Sequence, residues 1–427
     1  MDNLPEISCD LLVIGSGITG MAAALFAANL GIDTVQVGRA GELGFASGFL
    51  DLLGVHPVED GRIWDRPFDG IGALVAEHPR HPYAFLDKKD IQSALSGFVS
   101  FLAAHGLPYY TEPGKNLAMI TPTGTLKTTY AVPATVQNGV RALAEKASCL
   151  VVDFHGLKGF SGRQIVETLD KTWPNLTTRR ISFPDTSGEL LPEHMALSLE
   201  SPECRAQLAG EIAPHIHSAE YVALPAILGM YRPMAVFEDL QKQLNRPVFE
   251  IPTMPPAIGG LRIKAAFEKA LPRLFVRTHY QQKITAVDKQ GRNGFRFDVG
   301  RDHLRRVITA KGAILASGRF IGGGLTTDRK SVRETLFNLP VFQPVTRSEW
   351  HQKSFLDPRG HPINRFGITT DDQWRPLNNN RHPAIPGLFA AGSILAHQDW
   401  VRQKCGAGLG ITTAFAAVNA FQRFISG

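Results

Sequence analysis

The sequence predicts an α/β fold: a Rossmann-like dinucleotide-binding domain with a second α/β domain inserted into it. A glycine-rich strand-turn-helix unit opens the chain, and two further apolar strands that end in glycine occur in its last third. Between them, the middle of the chain has its own alternation of strands and helices. We therefore expect a discontinuous dinucleotide-binding domain over residues 1–145 and 256–427, and an inserted domain over residues 146–255.

The first nucleotide-binding element is the stretch CDLLVIGSGITGMAAALFAANLGIDTVQVGR near the start of the chain. An apolar strand precedes Gly15, Gly17 and Gly20, and an Ala-rich helix follows them. In this G-x-G-x-x-G spacing the first glycine permits the turn, the second lets a phosphate approach the backbone and the third lets helix and strand pack. We expect Gly15, Ser16, Gly17 and Gly20 to contact the cofactor, whose phosphate faces the helix N-terminus.

The second strand of this unit ends at Arg39, where a carboxylate usually binds a ribose. An Arg offers only hydrogen-bond donors and suits a phosphate. NADP, with its 2′-phosphate, and FMN, which has no adenosine ribose, both fit that change. A solvent-exposed Arg39 with no ligand is the third interpretation.

Two C-terminal stretches complete the expected cofactor site. KGAILASGRFIGGG has a strand ending at Gly318, and LFAAGS has a strand ending at Gly392 and Ser393; Gly406 and Gly408 then open a final Ala-rich helix. This arrangement resembles the flavin-contacting end of two-dinucleotide-binding-domain flavoproteins. The resemblance implies FMN or FAD rather than NADP, with the last helix directed at the flavin ring. Strands near residues 283–310 are expected to form the meander found in such proteins.

Composition restricts the other function classes. The chain has 427 residues, 44% of them hydrophobic, and a net charge of +6 from scattered Lys and Arg, so we expect anionic small molecules rather than nucleic acid. Four cysteines without a C-x-x-C pair indicate a reducing, cytoplasmic location and no metal site or iron–sulfur cluster in this chain. Residues 11–32 lack charge, but their glycines and acidic N-terminal flank argue against a membrane span or signal peptide.

Stretches along nearly the whole chain are similar to the B subunits of anaerobic glycerol-3-phosphate dehydrogenases. They are FASGFLDLLG, HPYAFL, TPTGTLKTTY, PTMPPAIGGLRI, ILASGRFIGGGL, TRSEW, FGITTDDQWRP, LFAAGSIL and KCGAGLG. The resemblance implies oxidation of sn-glycerol 3-phosphate to dihydroxyacetone phosphate, with electrons passed to quinone. It also implies two partners, an FAD-dependent A subunit and an iron–sulfur C subunit that holds the complex at the inner membrane, with this chain as the peripheral FMN-binding component. FAD is the alternative cofactor.

Cofactor contacts are expected along the whole site, at Gly15, Ser16, Gly17, Gly20, Arg39, Ser47, Gly48, Gly318, Gly392, Ser393, Gly406 and Gly408. Two positions depart from the flavoprotein pattern. Ser393 stands where many FAD proteins have an acidic residue. Arg319 follows the middle glycine and could meet a flavin phosphate or an anionic substrate.

Oxidation of glycerol 3-phosphate at C2 requires a base for the hydroxyl proton and cations for the phosphate. The candidates are His81, Arg262, Arg329 and His397, although a lone His beside Pro is more often a loop residue and an Arg in a basic protein is usually solvated. If a partner protein performs the dehydrogenation, this chain relays electrons and needs no base. A stand-alone FAD- or NADPH-dependent oxidoreductase and a non-catalytic assembly role are the alternatives.

The inserted domain has strand-like runs at residues 149–154, 177–183, 221–224 and 247–251 and a helix-like run at 162–173. Its loop DFHGLKGFSGRQ is rich in glycine but lacks the Lys and Ser order of a P-loop. A ligand contact and a plain strand-to-helix turn both fit this loop.

Overall fold

The computed structural model describes residues 6–39, 42–186, 188–291 and 294–427. Its strands are, in chain order, β1 (Glu6–Ile14), β2 (Thr34–Gly38), β3 (Tyr109–Tyr110), β4 (Leu117–Ile120), β5 (Leu126–Thr129), β6 (Val132–Pro133), β7 (Cys149–Phe154), β8 (Leu176–Ile181), β9 (Tyr221–Pro225), β10 (Val248–Ile251), β11 (Arg277–Tyr280), β12 (Ile284–Lys289), β13 (Phe295–Val299), β14 (Arg306–Leu315), β15 (Leu325–Thr327), β16 (Val332–Glu334), β17 (Val341–Phe342), β18 (Gly367–Ile368) and β19 (Leu388–Ala390). Its α-helices are α1 (Ile18–Asn29), α2 (Pro67–Glu77), α3 (Lys88–Ala104), α4 (Gln137–Glu145), α5 (Gly162–Leu169), α6 (Pro192–Ser198), α7 (Pro202–Ile212), α8 (Pro233–Leu244), α9 (Ile258–Ala270), α10 (Trp400–Gln403) and α11 (Gly406–Ser426).

The first of two compact units comprises residues 1–42, 51–98 and 267–427. Its seven-stranded sheet has the order β11-β2-β1-β14-β13-β12, and β19 also pairs with β14. β1 is central, and Leu11, Leu12 and Val13 are fully buried, as expected for a parallel strand covered on both faces. The sheet confirms the predicted Rossmann-like fold.

Strand β14 organises this sheet because its two edges have different partners. One edge pairs with β1 in parallel along its length. The other edge is shared: β13 pairs antiparallel with residues 306–310, and β19 pairs parallel with residues 313–315. β12, β13 and β14 therefore form the meander that the sequence predicted near residues 283–310.

Helices α1 and α11 pack closely against each other. Small side chains make this possible: a Cβ on Gly410 would lie 2.6 Å from the hydroxyl oxygen of Thr19. Farther along, the rings of Phe26 and Phe415 meet edge to face with centroids 5.2 Å apart. The start of α1 is thereby fixed against the start of the last helix.

The second compact unit comprises residues 43–50 and 99–266. Its four-stranded sheet has the order β10-β9-β7-β8, and all of its pairs are parallel. β7 is buried along its whole length. The predicted second α/β domain therefore forms, with β7, β8, β9 and β10 close to the expected bounds.

The borders of this unit differ from the expected residues 146–255. α4 and β4, which precede residue 146, belong to the second unit because they pack on its sheet. A Cβ on Gly139 would lie 2.5 Å from both Met119 and Phe249, and Asn138 donates a hydrogen bond to the Val248 carbonyl at 2.9 Å. Two of these contacts, Gly139 with Phe249 and Asn138 with Val248, join residues 110 positions apart, which sequence spacing does not reveal.

The glycine-rich loop between β7 and α5 closes on a carboxylate of the chain itself. Asp153 is buried and accepts hydrogen bonds from the Gly162 N–H at 3.2 Å and from Arg180 at 2.7 Å. The N-terminus of α5 therefore already has an anion. This favours a strand-to-helix turn over a phosphate loop.

No helix in the described residues combines the length and apolar character needed to cross a membrane.

Candidate functional site

The glycine-rich turn after β1 has a conformation that requires glycine. Gly15 has a φ of +132°, and a Cβ there would lie 2.1 Å from the Ala316 carbonyl oxygen. Its N–H donates to the Val37 carbonyl at 2.8 Å. A Cβ on Gly20 would in turn lie 2.1 Å from the Gly15 carbonyl oxygen. The turn, the helix and the end of β14 are consequently in close contact. The glycine spacing predicted the turn and the packing of the helix, but not the contact with the end of β14.

The N-terminus of α1 is open. Gly17 is its N-cap residue, no side chain in the described part of the chain caps it, and its first turn contains no acidic residue. The position of a Cβ on Gly17 has no atom within 4 Å. Free backbone donors at a helix N-terminus, together with open space above them, form an anion site. This geometry fits the phosphate of a dinucleotide or flavin cofactor.

The end of β2 is tied to this turn. The Ser16 hydroxyl, which is buried, donates to the Arg39 carbonyl, and the Gln36 amide donates to the Gly15 carbonyl at 2.9 Å. A Cβ on Gly38 would lie 2.5 Å from the Ser16 nitrogen. Arg39 itself has an exposed side chain at the edge of this turn. Its position is compatible with a ligand contact and with a solvated end of the strand.

The ends of β14 and β19 lie at the same edge of the sheet as the turn. Ile14 pairs with Leu315, and Leu315 pairs with Ala390, so the residues that follow these three strands are neighbours. Gly318 and Gly392 have φ values of +68° and +80°. A Cβ on Gly392 would lie 2.3 Å from the Thr19 hydroxyl oxygen.

Ser317 is a residue of this edge that the sequence prediction omitted. Its Oγ is buried without a hydrogen-bond partner among the described residues. A buried hydroxyl normally has a partner, so an unsatisfied one at this edge of the sheet fits a polar ligand group. In the sequence, its position beside Gly318 was the feature that could have indicated a ligand contact.

Ser393 and Arg319, the two departures from the flavoprotein pattern, both have protein contacts. The Ser393 carbonyl accepts from Gln398 at 3.2 Å. The Arg319 guanidinium donates to the carbonyl oxygens of Ile363, at 2.5 Å, and Asn364. Arg319 therefore fixes the loop that contains residues 363 and 364.

Two predicted cofactor glycines at the start of α11 have a packing role. A Cβ on Gly406 would lie 2.7 Å from the Trp400 ring, and one on Gly408 would lie 2.8 Å from the Leu52 Cα. The Gly408 N–H donates to the Asp51 carbonyl at 2.6 Å and is not free for a ligand. The cofactor contact expected at Gly406 and Gly408 stays a prediction, and the Gly408 N–H would not provide it.

Cys405, directly before this helix, is fully buried, which raises the pKa of its thiol well above the usual range. Its thiol is consequently inert at neutral pH.

Ser47 and Gly48, also predicted to contact the cofactor, lie in the second compact unit. The Ser47 hydroxyl accepts from the Phe49 N–H at 3.2 Å, and the Gly48 carbonyl accepts from Tyr109 at 2.6 Å. A Cβ on Gly48 would lie 2.9 Å from the Gly259 Cα. Both residues therefore form a close-packed turn against the start of α9.

His81, predicted as a catalytic base, has both ring nitrogens occupied. Nδ1 accepts from the Tyr83 N–H at 3.1 Å, so Nε2 carries the proton and faces the Gln403 Oε1 at 3.3 Å. Burial is the main cause that lowers the pKa of His81 to about 3. The absence of a free lone pair on this buried ring corrects the prediction and makes His81 a structural residue.

Arg262, predicted to bind phosphate, forms a buried ion pair. Its guanidinium donates to both carboxylate oxygens of Glu250, at 2.7 and 2.8 Å, and to the Gly229 carbonyl at 2.8 Å. Arg262 is 4% exposed and Glu250 is 1% exposed. A cation that is already neutralised and enclosed is not available to a substrate phosphate, which corrects this prediction.

Arg329 lies in the turn of the β15–β16 hairpin, and its side chain is exposed. This position matches the solvated alternative for Arg329.

His397 is half-buried and has a left-handed backbone, with a φ of +66°. Such strain in a non-glycine residue is frequent at functional sites. Its Nε2 lies 3.4 Å from the Thr369 hydroxyl, and its ring centroid lies 4.2 Å from that of Phe342. Burial, followed by the positive charges of Arg80 and Arg381, lowers the pKa of His397 to about 4. At neutral pH the ring is unprotonated and retains a lone pair for accepting a proton.

Arg80 and Arg381 were missed by the sequence prediction. Both side chains are exposed, and both act on His397. The Arg80 guanidinium lies 5.9 Å from the centroid of the Phe342 ring, which also contacts His397. Arg80 adjoins His81 in the PRHPY stretch, and this adjacency was the only sequence signal for it.

Comparisons with known proteins agree with this geometry. The profile of the family described as FAD binding domain matches residues 10–409. A Vibrio cholerae serotype O1 protein, named as the B subunit of anaerobic glycerol-3-phosphate dehydrogenase, is 30% identical over 436 residues, covering 96% of this chain and 95% of the relative. A Halobacterium salinarum protein with the same name, qualified as probable, is 29% identical and covers 97% of this chain and 98% of the relative.

Among solved structures, a 3-ketosteroid delta1-dehydrogenase from Sterolibacterium denitrificans matches with a TM-score of 0.44 and 12% identity, covering 98% of this chain and 100% of that chain. The open conformation of a flavocytochrome c3 fumarate reductase matches with a TM-score of 0.42 and 10% identity, covering 99% of this chain and 79% of that chain. The profile and the full-length relatives identify the family: this chain belongs to the FAD-binding domain flavoproteins and to the family of anaerobic glycerol-3-phosphate dehydrogenase B subunits.

Proposed function

We propose that this chain is the flavoprotein component of an anaerobic glycerol-3-phosphate dehydrogenase that oxidises sn-glycerol 3-phosphate to dihydroxyacetone phosphate. In this proposal an FAD-dependent A subunit and an iron–sulfur C subunit complete the complex. They hold the chain at the inner membrane and carry electrons to quinone. The single observation that carries the proposal is the open N-terminus of α1 at Gly17, beside the glycines that follow β14 and β19.

We propose FAD as the flavin, with FMN as the alternative. The family profile is one for FAD binding and does not support FMN as the first choice. The reason for FMN was Arg39, which offers donors where a ribose needs an acceptor. The exposed Arg39 side chain agrees with either flavin. When bound, a flavin accepts a hydride equivalent and releases its electrons singly.

The residues that would hold the flavin are those of the sheet edge. Backbone donors at Gly17 would bind a phosphate, and the Ser317 hydroxyl would find its hydrogen-bond partner on the ligand. Gly318, Gly392 and Ser393 follow the neighbouring strands and would line the remainder of the site.

For the substrate we propose His397 as the base for the C2 hydroxyl proton, and Arg80 and Arg381 as the cations for the phosphate. His397 has a lone pair at neutral pH, because burial and both arginines lower its pKa to about 4. A phosphate bound between the arginines would offset their charge and raise the basicity of His397. Substrate binding would thus prepare the base for the reaction.

The substrate proposal is tested by steady-state kinetics of the assembled complex with the Arg80→Gln and Arg381→Gln variants. Each should raise the KM for glycerol 3-phosphate at least about 10-fold, because a charge-assisted hydrogen bond contributes roughly 1.5–3 kcal/mol. Arg329→Gln is the matched control, since it removes an exposed Arg from the same unit and should leave KM unchanged. Equal effects of all three substitutions would indicate general electrostatic attraction instead.

The cofactor proposal is tested by releasing the flavin from the purified chain and counting it by chromatography. About one equivalent of FAD supports the proposal, and FMN would restore the interpretation based on Arg39. A colourless, folded chain would favour the assembly role. Activity of the isolated chain, without partner proteins, would favour the stand-alone oxidoreductase.

A further inference from the structure

A second chemical site lies in the first compact unit, outside the flavin and substrate groups. His56, Glu77 and His78 place one ligand atom each within 4.8 Å of the others. The sequence predicted no metal site, because the chain has no C-x-x-C pair. Folding brings together the loop that contains His56 and the end of α2.

The distance between His56 and Glu77 is compatible with two ligands of one ion. The His56 Nε2 lies 3.1 Å from a carboxylate oxygen of Glu77. The same nitrogen nevertheless has no hydrogen-bond partner of acceptable geometry in the described residues, and His56 is 2% exposed. Two ligands about 2.0–2.1 Å from a tetrahedral zinc ion are roughly 3.3 Å apart, close to the observed separation.

The backbone of the site is held in place by the protein. The His56 N–H donates to the Arg62 carbonyl at 3.0 Å, and the His56 carbonyl accepts from the Trp64 indole at 2.6 Å. The His78 N–H donates to the Leu74 carbonyl at 2.8 Å. Glu77 is about half exposed, which gives an ion access from solvent.

The charged side chains near His78 have both signs. Besides Glu77, Glu59 and Arg365 are the charged side chains that act on His78. The nearby His81 is not a further ligand, because its own ring nitrogens are occupied by the Tyr83 N–H and the Gln403 side chain.

We propose that His56, Glu77 and His78 form a binding site for a divalent transition-metal ion of the zinc class, with water as the remaining ligand. Two imidazoles and one carboxylate suit zinc and similar ions, whereas magnesium and calcium prefer all-oxygen sites. The site does not depend on the proposed flavin or substrate roles.

The expected role of the ion is structural. Gly54 and Val55, which precede His56, donate to the Gln403 carbonyl at 3.0 and 3.1 Å, just before α11 begins. An ion that joins the His56 loop to α2 would stabilise these two hydrogen bonds to Gln403, and with them the start of the last helix.

The test is calorimetric titration of the chelator-treated, flavin-loaded chain with zinc, and separately with magnesium. We expect one zinc ion per chain and no magnesium binding. Glu77→Gln and His78→Gln should each weaken zinc binding at least about 10-fold, the scale seen when groups at metal sites are removed. Both side chains are accessible, so flavin content and circular dichroism should match the wild type.

Two control variants distinguish loss of a ligand from loss of charge and from zinc binding elsewhere. Glu59→Gln removes the same charge as Glu77→Gln without removing a ligand. His351→Gln removes one member of another histidine pair, His351 and His361, whose ring centroids are 5.6 Å apart. Both should leave the zinc affinity unchanged. Three results would each overturn the proposal. They are the absence of zinc binding, a loss of zinc affinity in Glu59→Gln equal to that in Glu77→Gln, and an unchanged zinc affinity in Glu77→Gln and His78→Gln.

Discussion

Replacement of Arg262 by Met distinguishes a structural ion pair from the substrate contact that the sequence predicted. The substitution removes two hydrogen bonds to Glu250 and one to Gly229. It also leaves a carboxylate that is 1% exposed without its cation. Breaking a buried pair from one side costs about 3–5 kcal/mol. At roughly 2–4 °C per kcal/mol for 150–250 residues, we expect the Tm of the second unit to fall by about 6–20 °C.

The assay is thermal unfolding followed by circular dichroism, with KM for glycerol 3-phosphate measured in the assembled complex. Because the chain has two compact units, unfolding midpoints are compared rather than a single free energy. Arg262→Met combined with Glu250→Gln should recover much of the loss, since no unpaired charge remains. An unchanged Tm together with a raised KM would refute the structural interpretation and restore Arg262 as a substrate residue.

The same pair gives a pH prediction of defined sign. Burial opposes ionisation of Glu250, but Arg262 and the hydrogen bonds from Thr135 and Leu228 more than offset this and lower the pKa of Glu250. A carboxyl with a lowered folded-state pKa contributes stability above its unfolded-state pKa, about 4.3 for Glu. In Arg262→Met the cation is gone and burial raises the pKa of Glu250, so the variant regains stability as the carboxyl becomes protonated. The Tm difference between wild type and Arg262→Met should therefore be largest at high pH and should narrow as the pH falls.

Two further predictions concern the first unit. Gly392→Ala should reduce flavin content and Tm, because its Cβ would clash with Thr19 and its φ is +80°. The control Gly31→Ala has a similarly positive φ but lies in open space, so it should retain the flavin. Equal losses of flavin in the two variants would show that backbone strain alone is responsible. His397→Gln should lower kcat by about 10²–10⁴-fold, the usual contribution of a general base. It should also abolish any fall of kcat/KM on the acid side of the pH profile. An unchanged kcat would assign the chemistry to a partner protein.

The features that the sequence predicted well are local. The Gly15 turn, the helix after it and the meander from β12 to β14 each depend on residues close together in the chain. The sequence also predicted an apolar strand before Gly318, but it did not predict the pairing of this strand with β1, about 300 residues away. Local steric requirements, such as the positive φ of Gly15, can be read from the sequence because they require a particular residue type.

The features that the sequence prediction missed depend on distant partners. Arg262 is neutralised by Glu250, and His81 is occupied by Gln403, which is more than 300 residues away. Arg80 and Arg381 are likewise far apart in sequence yet act on the same histidine. An isolated Arg or His gives no indication of which side chain it will meet, so residue type alone assigned the catalytic roles incorrectly at His81 and Arg262.

The two glycine-rich strand-to-helix loops show how a single residue decides whether such a loop can bind an anion. At α1 the first turn is free of acidic residues and the N-cap is Gly17, so the backbone donors face open space. At α5 the buried Asp153 carboxylate occupies the Gly162 N–H and is paired with Arg180. An incoming phosphate would have to displace a buried carboxylate and its cation, and two anions cannot share the position without severe repulsion. The acidic residue within the apolar strand β7 was visible in the sequence, and β1 has no such residue in its buried C-terminal half, residues 11–14. This difference supports the proposal that the loop at Gly17, rather than the loop before α5, binds the phosphate.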